Sequence, residues 1–265
     1  MTTLVRYWKL FLVQLRTSVA TGMQYRLDFV VQGIISVFWF GTTLVPLFVV
    51  FGDRPTIAGW SRDAALVVAG FFVLMKGLLE GAITPSLMAV VEHVRKGTLD
   101  FVLLKPADAQ FLVSTTKIQP WSVIDVLGGV AIIAAALVHM GHAPALRDLG
   151  AAVALLGAAT AVMYSIWILV ISLAFYVVRI DNLSYLFMSV FDAARYPITA
   201  YRGPVRFLFT FILPLAVMTT FPAMAVLGTL TPGTALASVG GAALFSVLAR
   251  QVWRVSIRHY TSASS

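Results

Sequence analysis

Lys76 and Glu80 stand four residues apart inside a long apolar stretch. On a helix that spacing puts both side chains on one face, within reach of each other. Ionisable groups at membrane depth cost several kcal/mol unless they pair or face a cavity. The two therefore read either as a polar contact in a transport path or subunit seam, or as an ion pair that neutralises itself. Asp125 lies in another apolar stretch as a second candidate buried acid, and Asp192 and Arg195 form an (i, i+3) pair in a third. His139 and His142 make an H-x-x-H, a spacing that could share a metal ion. No third ligand stands near them in sequence, so an interfacial turn is the plainer role and no metal site is assigned. The longest polar connection is VVEHVRKGTLDFVLLKPADAQF, residues 90–111. It opens with Glu92, His93, Arg95 and Lys96, passes Gly97 and Thr98, and continues through Leu99, Asp100, Phe101, Val102, Leu103 and Leu104 to Lys105-Pro106. That mix suits a short amphipathic helix at a membrane surface. A solvated loop that merely carries positive charge fits the same composition.

Other chemistry is unsupported. No G-x-x-x-x-G-K-[ST] occurs, so a P-loop ATPase site is not expected in this chain. Neither G-x-S-x-G nor H-E-x-x-H is found, and no catalytic residues are assigned. The chain has no cysteine, which removes disulfides and thiolate-ligated metals. No repeat relates one half to the other, which weakens an inverted-repeat secondary transporter.

The elements that must position these residues are membrane helices. The 265 residues are 60% hydrophobic and only 11% charged, whereas soluble domains carry about a quarter charged residues. From Phe29 to Gly52 no charged residue occurs, a run long enough to cross a hydrocarbon core that needs roughly 20 apolar residues. The expected fold is all-α and polytopic, with about six spans near 27–51, 64–90, 118–140, 149–178, 183–201 and 234–253. The first apolar run is of full span length and reads as a retained anchor rather than a cleaved leader. Before it, residues 1–26 hold Leu4, Tyr7, Trp8, Phe11, Leu12, Leu15 and Val19 at helical spacing among Arg6, Lys9 and Arg16, the pattern of a basic amphipathic interfacial helix. Residues 91–117 form the long inner loop, 27–258 the membrane domain as a whole, and 259–265 a short tail.

Two arrangements fit residues 181–230. In one, 183–201 is the fifth span and 204–229 is a re-entrant hairpin. In the other, 183–201 lies on the inner surface and 204–229 crosses. Pro214 and Pro222 suit a broken element. Lys76 aside, placing the N-terminus inside puts twelve Lys and Arg on the inner side and six on the outer in the hairpin arrangement. Both termini are then cytoplasmic in either case. The second arrangement increases the bias, so charge alone leans mildly against the hairpin. The net charge of +8 is accounted for by orientation and contact with anionic lipid, and no nucleic acid is called for.

VRKGTLDFVLLKP, residues 94–106, resembles the R-x-G-x-L-D-x-x-L-L-x-P stretch of ABC-2 type permeases, matching at Arg95, Gly97, Leu99, Asp100, Leu103, Leu104 and Pro106. ARYPITAY, 194–201, with FILPLAVMTTFPAMAVLG, 211–228, is similar to that family's Tyr-Pro motif and later proline segment. HYTSASS, 259–265, is similar to its Tyr-x-Ser-Ala tail. The resemblance covers nearly the whole chain. It implies six spans, an N-terminal interfacial helix, a coupling helix over 92–104 and a re-entrant hairpin before the last span, which returns the preference to the first arrangement. It further implies two permease chains, as homodimer or heterodimer in the cytoplasmic (inner) membrane, docked on a separate ATPase subunit that holds the ATP and Mg. This chain would bind no cofactor of its own. Glu92, His93, Gly97 and Thr98 fall in the coupling stretch. Arg95 and Lys96 would meet the ATPase, Leu99 and Phe101 would fill its groove, and Asp100 would cap or pair. Lys76 and Glu80 lie outside the family pattern.

Overall fold

The computed structural model describes residues 3–24, 26–52, 54–176 and 181–260. Helix α1 (Thr3–Gln24) is followed by α2 (Arg26–Phe51), then by a two-stranded hairpin, β1 (Thr56–Ile57) and β2 (Trp60–Ser61). Ser61 caps α3 (Arg62–Leu78), its hydroxyl accepting from the Ala64 amide at 3.2 Å. A π-helical turn, Leu79–Ile83, joins α3 to α4 (Thr84–Lys96), so one continuous helical rod runs from 62 to 96. Short helices α5 (Asp100–Leu103) and α6 (Ala109–Ser114) lead to α7 (Val123–His139) and α8 (Leu146–Ser172). Then come α9 (Asp181–Phe191), α10 (Gly203–Phe207), α11 (Phe221–Val226) and α12 (Pro232–Ile257).

Five of these helices are long and apolar enough to cross a membrane, and a sixth crossing is counted if the bent pair Gly203–Ile212 and Ala216–Val226 is taken as one. The chain is an all-α, multi-pass membrane protein. The apolar surface is turned outward over much of α2 and α12, where Val30, Ile34, Phe38, Leu244 and Val247 are exposed, as a lipid-facing bundle requires.

The tightest joint is between α3 and α7. A Cβ placed on Gly129 would lie 2.6 Å from the Leu74 amide nitrogen and 2.7 Å from the Gly70 carbonyl oxygen. One on Gly77 would lie 2.9 Å from the Val126 nitrogen. Small residues let two backbones approach this closely, the usual route to helix association where water gives no hydrophobic drive. α8 packs along α12, and the core between them holds Met163, Ile166, Trp167, Ala249 and Trp253.

Residues 183–201 are not one straight span. α9 ends at Phe191, and two 3-10 turns, Asp192–Arg195 and Ile198–Ala200, carry the chain onward. Thr199 reaches the β-hairpin: the Trp60 indole N–H donates to its hydroxyl at 2.8 Å, and that hydroxyl donates to the Ala58 carbonyl at 3.3 Å. The two arms of the following element meet at 71°. Its far arm returns to the same end of the bundle, where His142, in the α7–α8 connection, meets the Val226 carbonyl at 3.1 Å. Both ends of 203–226 thus sit at the end that carries the β-hairpin. Residues 177–178 of the fourth expected span, Arg179, and the last five residues of the expected tail lie outside the described residues.

Candidate functional site

The five charged residues singled out within the apolar stretches converge. Lys76, Glu80, Asp125, Asp192 and Arg195 all line one cavity of about 370 Å³, together with Gln32, Ser36, Trp39, Thr43, Phe72 and Ser122. α2, the 62–96 rod, the start of α7 and the break after α9 each supply part of the wall.

Local structure explains the convergence. In a π turn one extra residue enters the helix and shifts the faces beyond it. Here the turn begins at Leu79, so Glu80 is carried round while Gly81 turns to Ser122, whose hydroxyl would lie 2.0 Å from a Cβ at that position. The Gly81 carbonyl accepts from the Gln119 amide at 2.7 Å, which ties the π turn to the start of the next crossing. Gly77 sits against the Asp125 Cβ at 2.9 Å from its own missing Cβ, bringing the acid beside Lys76. Lys76 Nζ is 3.9 Å from Glu80 and 5.6 Å from the centre of the Trp39 ring. Arg195 pairs with Asp192 at 3.1 Å and lies 5.4 Å from the Phe72 ring centre. Asp125 is buried, accepting at Oδ2 from the Ser36 hydroxyl at 3.3 Å, while its Oδ1 has no hydrogen-bond partner.

Gln32, Ser36 and Thr43 were not singled out by sequence reasoning. They recur at i, i+4 and i+11 in an otherwise apolar span, a polar stripe that would have marked the cavity-facing side of α2.

The stretch expected to couple to an ATPase, residues 92–104, is built differently. Glu92, His93, Arg95 and Lys96 belong to the last turns of α4 and not to a separate helix. Gly97 ends that helix in the left-handed region (φ 67°), with the Thr98 amide donating to the His93 carbonyl at 2.9 Å, a glycine cap that L-residues with a Cβ tolerate poorly. Lys96 pairs with Glu92 at 2.6 Å, and the His93 ring meets the Thr98 hydroxyl at 2.8 Å. A single helix over 92–104 is therefore corrected to a helix end, a glycine turn and the four-residue α5, which Asp100 opens. Leu99 is a second correction. It is fully buried in this chain's own core, so it is not available to a partner's groove, whereas Phe101 and Leu104 are exposed. Ser86 closes the neck of the loop: its hydroxyl donates to the Lys117 carbonyl at 2.6 Å and accepts from the Lys117 amide at 3.0 Å.

Behind that loop lies a polar clasp the sequence did not announce. Arg250 of α12 donates to both carboxylate oxygens of Asp108 and to the Gln110 side-chain oxygen. Gln110 donates to the Tyr164 hydroxyl of α8 at 2.9 Å, and Ser114 meets the same hydroxyl at 2.7 Å. The Asp108 amide donates to the Tyr7 hydroxyl of α1 at 3.0 Å. The Arg250 guanidinium holds the Asp108 carboxyl below the usual carboxylate range.

The two histidines go to separate partners, His139 to Asp63 at 2.9 Å and His142 to the Val226 carbonyl. Among the described residues no cluster of three or more His, Asp or Glu side chains is placed to hold a metal.

A family model described as ABC-2 family transporter protein matches residues 37–264. Neither curated proteins nor solved structures gave a match. The match takes in all five charged residues of the cavity, residues 92–104, and Asp108, Gln110, Ser114, Tyr164 and Arg250 of the clasp, while Gln32, Ser36 and Tyr7 precede it. The chain belongs to the ABC-2 transporter family, as a membrane permease subunit of the kind that works with an ABC ATPase.

Proposed function

We propose that this chain is one permease half of an ATP-driven exporter in the cytoplasmic membrane, paired with a second permease chain and powered by a separate ATPase subunit. ATP and Mg reside on that partner. Both termini face the cytoplasm, α1 lies along the inner surface, and residues 203–226 form a re-entrant hairpin from the outer side. The hairpin is supported by the placement of Thr199 and Val226 at one end of the bundle.

In this reading the ATPase grips the segment from Glu92 to Leu104. Arg95 and Lys96 meet its surface, and exposed Phe101 and Leu104 take the place in its groove that buried Leu99 cannot. ATP closes the motor subunits, the coupling segments move, and the two permease chains rock against each other as rigid bodies. Cargo passes along the cavity lined by α2, the 62–96 rod and the break after α9. The observation that carries this reading is the union of a family match over most of the chain with a cavity in the helix bundle that collects all five ionisable candidates.

Co-purification is the test. The chain should bring down an ABC ATPase, and replacing Phe101 and Leu104 with Ser should release it while the chain still folds. Retention of the ATPase by that variant, or labelling of Lys96 from the outer face, would overturn the coupling assignment.

A second reading has one observation behind it: Lys76, Glu80 and Asp125 in a common cavity could relay ions for a self-powered transporter or channel. Such a protein would move solute alone in liposomes under a proton gradient. The ATP-driven reading expects no transport without the ATPase.

A further inference from the structure

The charges around the cavity do not balance. Among the described residues three carboxylates, Glu80, Asp125 and Asp192, and two cations, Lys76 and Arg195, line it. Arg195 is committed to Asp192, to its side chain at 3.1 Å and to its carbonyl at 3.0 Å. Lys76 reaches Glu80 only at 3.9 Å, the loose limit of an ion pair. Asp125 is 3% exposed, and its Oδ1 has no hydrogen-bond donor. Swinging Lys76 from Glu80 to Asp125 would leave Glu80 as the surplus acid, so the sum stays the same. A buried carboxylate with an unmet oxygen is costly, and Asp125 belongs to the wall of this cavity, with Oδ1 itself buried in the empty protein. The uncharged wall has a polar side, Gln32, Ser36, Thr43 and Ser122, and an apolar, largely aromatic side that includes Trp39, Phe72 and Trp121. Trp39 and Phe72 already stand beside cations at 5.6 and 5.4 Å, so their faces suit positive charge.

Resting on the reading of this cavity as the cargo path, we infer that the cargo carries one positive charge on an apolar body. It is an alkylammonium, arylammonium or guanidinium compound whose charged group pairs with the Asp125 carboxylate, which turns to meet it, while its apolar part lies against Trp39 and Phe72. A cavity of about 370 Å³ is at the small end of organic-ligand sites, so the charged head and the first part of the body enter it. The same ammonium chemistry could arrive on a soluble amine or on the headgroup of an aminolipid.

The test uses the full chain in uncharged maltoside micelles and fluorescence polarisation of two dyes of similar shape, cationic rhodamine 6G and anionic sulforhodamine B. Rhodamine 6G should bind saturably, and sulforhodamine B should not rise above empty micelles. Asp125→Asn should weaken rhodamine 6G by about tenfold or more, the loss expected for one charge-assisted hydrogen bond. Asp125→Glu should retain it. Glu80→Gln, which frees Lys76 for Asp125, should weaken it comparably and serves if Asp125→Asn is recovered poorly. Ser36→Phe, which fills the cavity, should abolish binding. Displacement of the dye by phosphatidylethanolamine at lower concentration than by hexylamine assigns the lipid source, and the reverse order assigns the soluble one. Unchanged affinity in both neutralised variants, equal binding of the two dyes, or no saturable rhodamine 6G binding overturns the charge inference. If Ser36→Phe removes binding while the neutralised variants do not, the cavity stands as the path and only its charge preference falls. If Ser36→Phe leaves binding intact, the path itself is misplaced.

Discussion

Two polar clusters gather side chains from several helices, and they differ in whether the accounts close. In the clasp at the loop end of the bundle, Asp108, Arg250, Gln110, Tyr164 and Ser114 answer one another, with Arg250 forking across both Asp108 oxygens. In the mid-bundle cavity, Asp125 keeps one oxygen unmet and the acids outnumber the cations. A satisfied network fixes geometry, whereas a half-satisfied one is tolerated where something else completes it. The clasp therefore reads as architecture, tying the loop after α5 to α1, α8 and α12, and the cavity reads as a site.

The sharpest way to break the contrast is to remove the joint on which the cavity depends. Gly129→Val places carbon against the Leu74 amide and the Gly70 carbonyl, backbone atoms that cannot step aside. Overpacking of this kind should cost about 3 kcal/mol or more. Size-exclusion chromatography should show loss of the monodisperse peak, and any protein recovered should bind no rhodamine 6G. A wild-type profile would mean that α3 and α7 are not so closely apposed.

Opening the clasp should cost less and leave the cavity alone. Arg250→Met strands Asp108, and with both side chains about one-third exposed water softens the loss to about 1–2 kcal/mol. Adding Asp108→Asn should recover part of it, since the stranded charge is then gone. Thermal unfolding of the single and double variants measures both. Rhodamine 6G affinity should not move in either, and a matching loss of dye binding would merge the two clusters into one functional unit.

Sequence alone could see the charged members of the cavity because a charge in an apolar run stands out. It could not see them meet. Their convergence depends on glycines at 77, 81 and 129, on a π turn that leaves no compositional mark, and on the break after Phe191. The uncharged stripe of Gln32, Ser36 and Thr43 is less legible because uncharged polar residues in a span carry no ionisation cost that demands a partner or a cavity. Arg250 was counted only toward orientation, since its partner Asp108 lies 142 residues away. Leu99 shows another limit: an apolar residue beside a glycine turn suits a partner's groove or the chain's own core, and only packing decides. The five long apolar helices, by contrast, were readable nearly to their ends, because length and apolarity are what a bilayer selects, whereas 183–201, expected as a span, breaks after Phe191.

Acidification should separate the clusters more gently. Asp108 is held below its ordinary range chiefly by Arg250. A carboxyl lowered in the folded state gives its full stability above its unfolded value of about 4 and loses it as pH falls through the folded one. The thermal midpoint of the wild type should therefore drop as pH falls below about 4, and more steeply than that of Arg250→Met, which has little of this contribution to lose. Parallel slopes would show that the pair does not report on folding.

The smallest expected change is also the most discriminating. Asp125→Asn preserves shape and keeps an acceptor for the Ser36 hydroxyl, while it removes a buried charge with an unmet oxygen. If Asp125 served the fold as Asp108 does, the substitution would destabilise by the 1–2 kcal/mol expected for the clasp. If it is held for cargo, stability should stay within about 0.5 kcal/mol of wild type or rise, because an unpaired buried carboxylate is a cost to the empty protein. Thermal unfolding of Asp125→Asn beside Asp108→Asn gives the comparison directly. Loss in the second and none in the first is the signature of a residue kept for binding, and equal losses would make both clusters architectural.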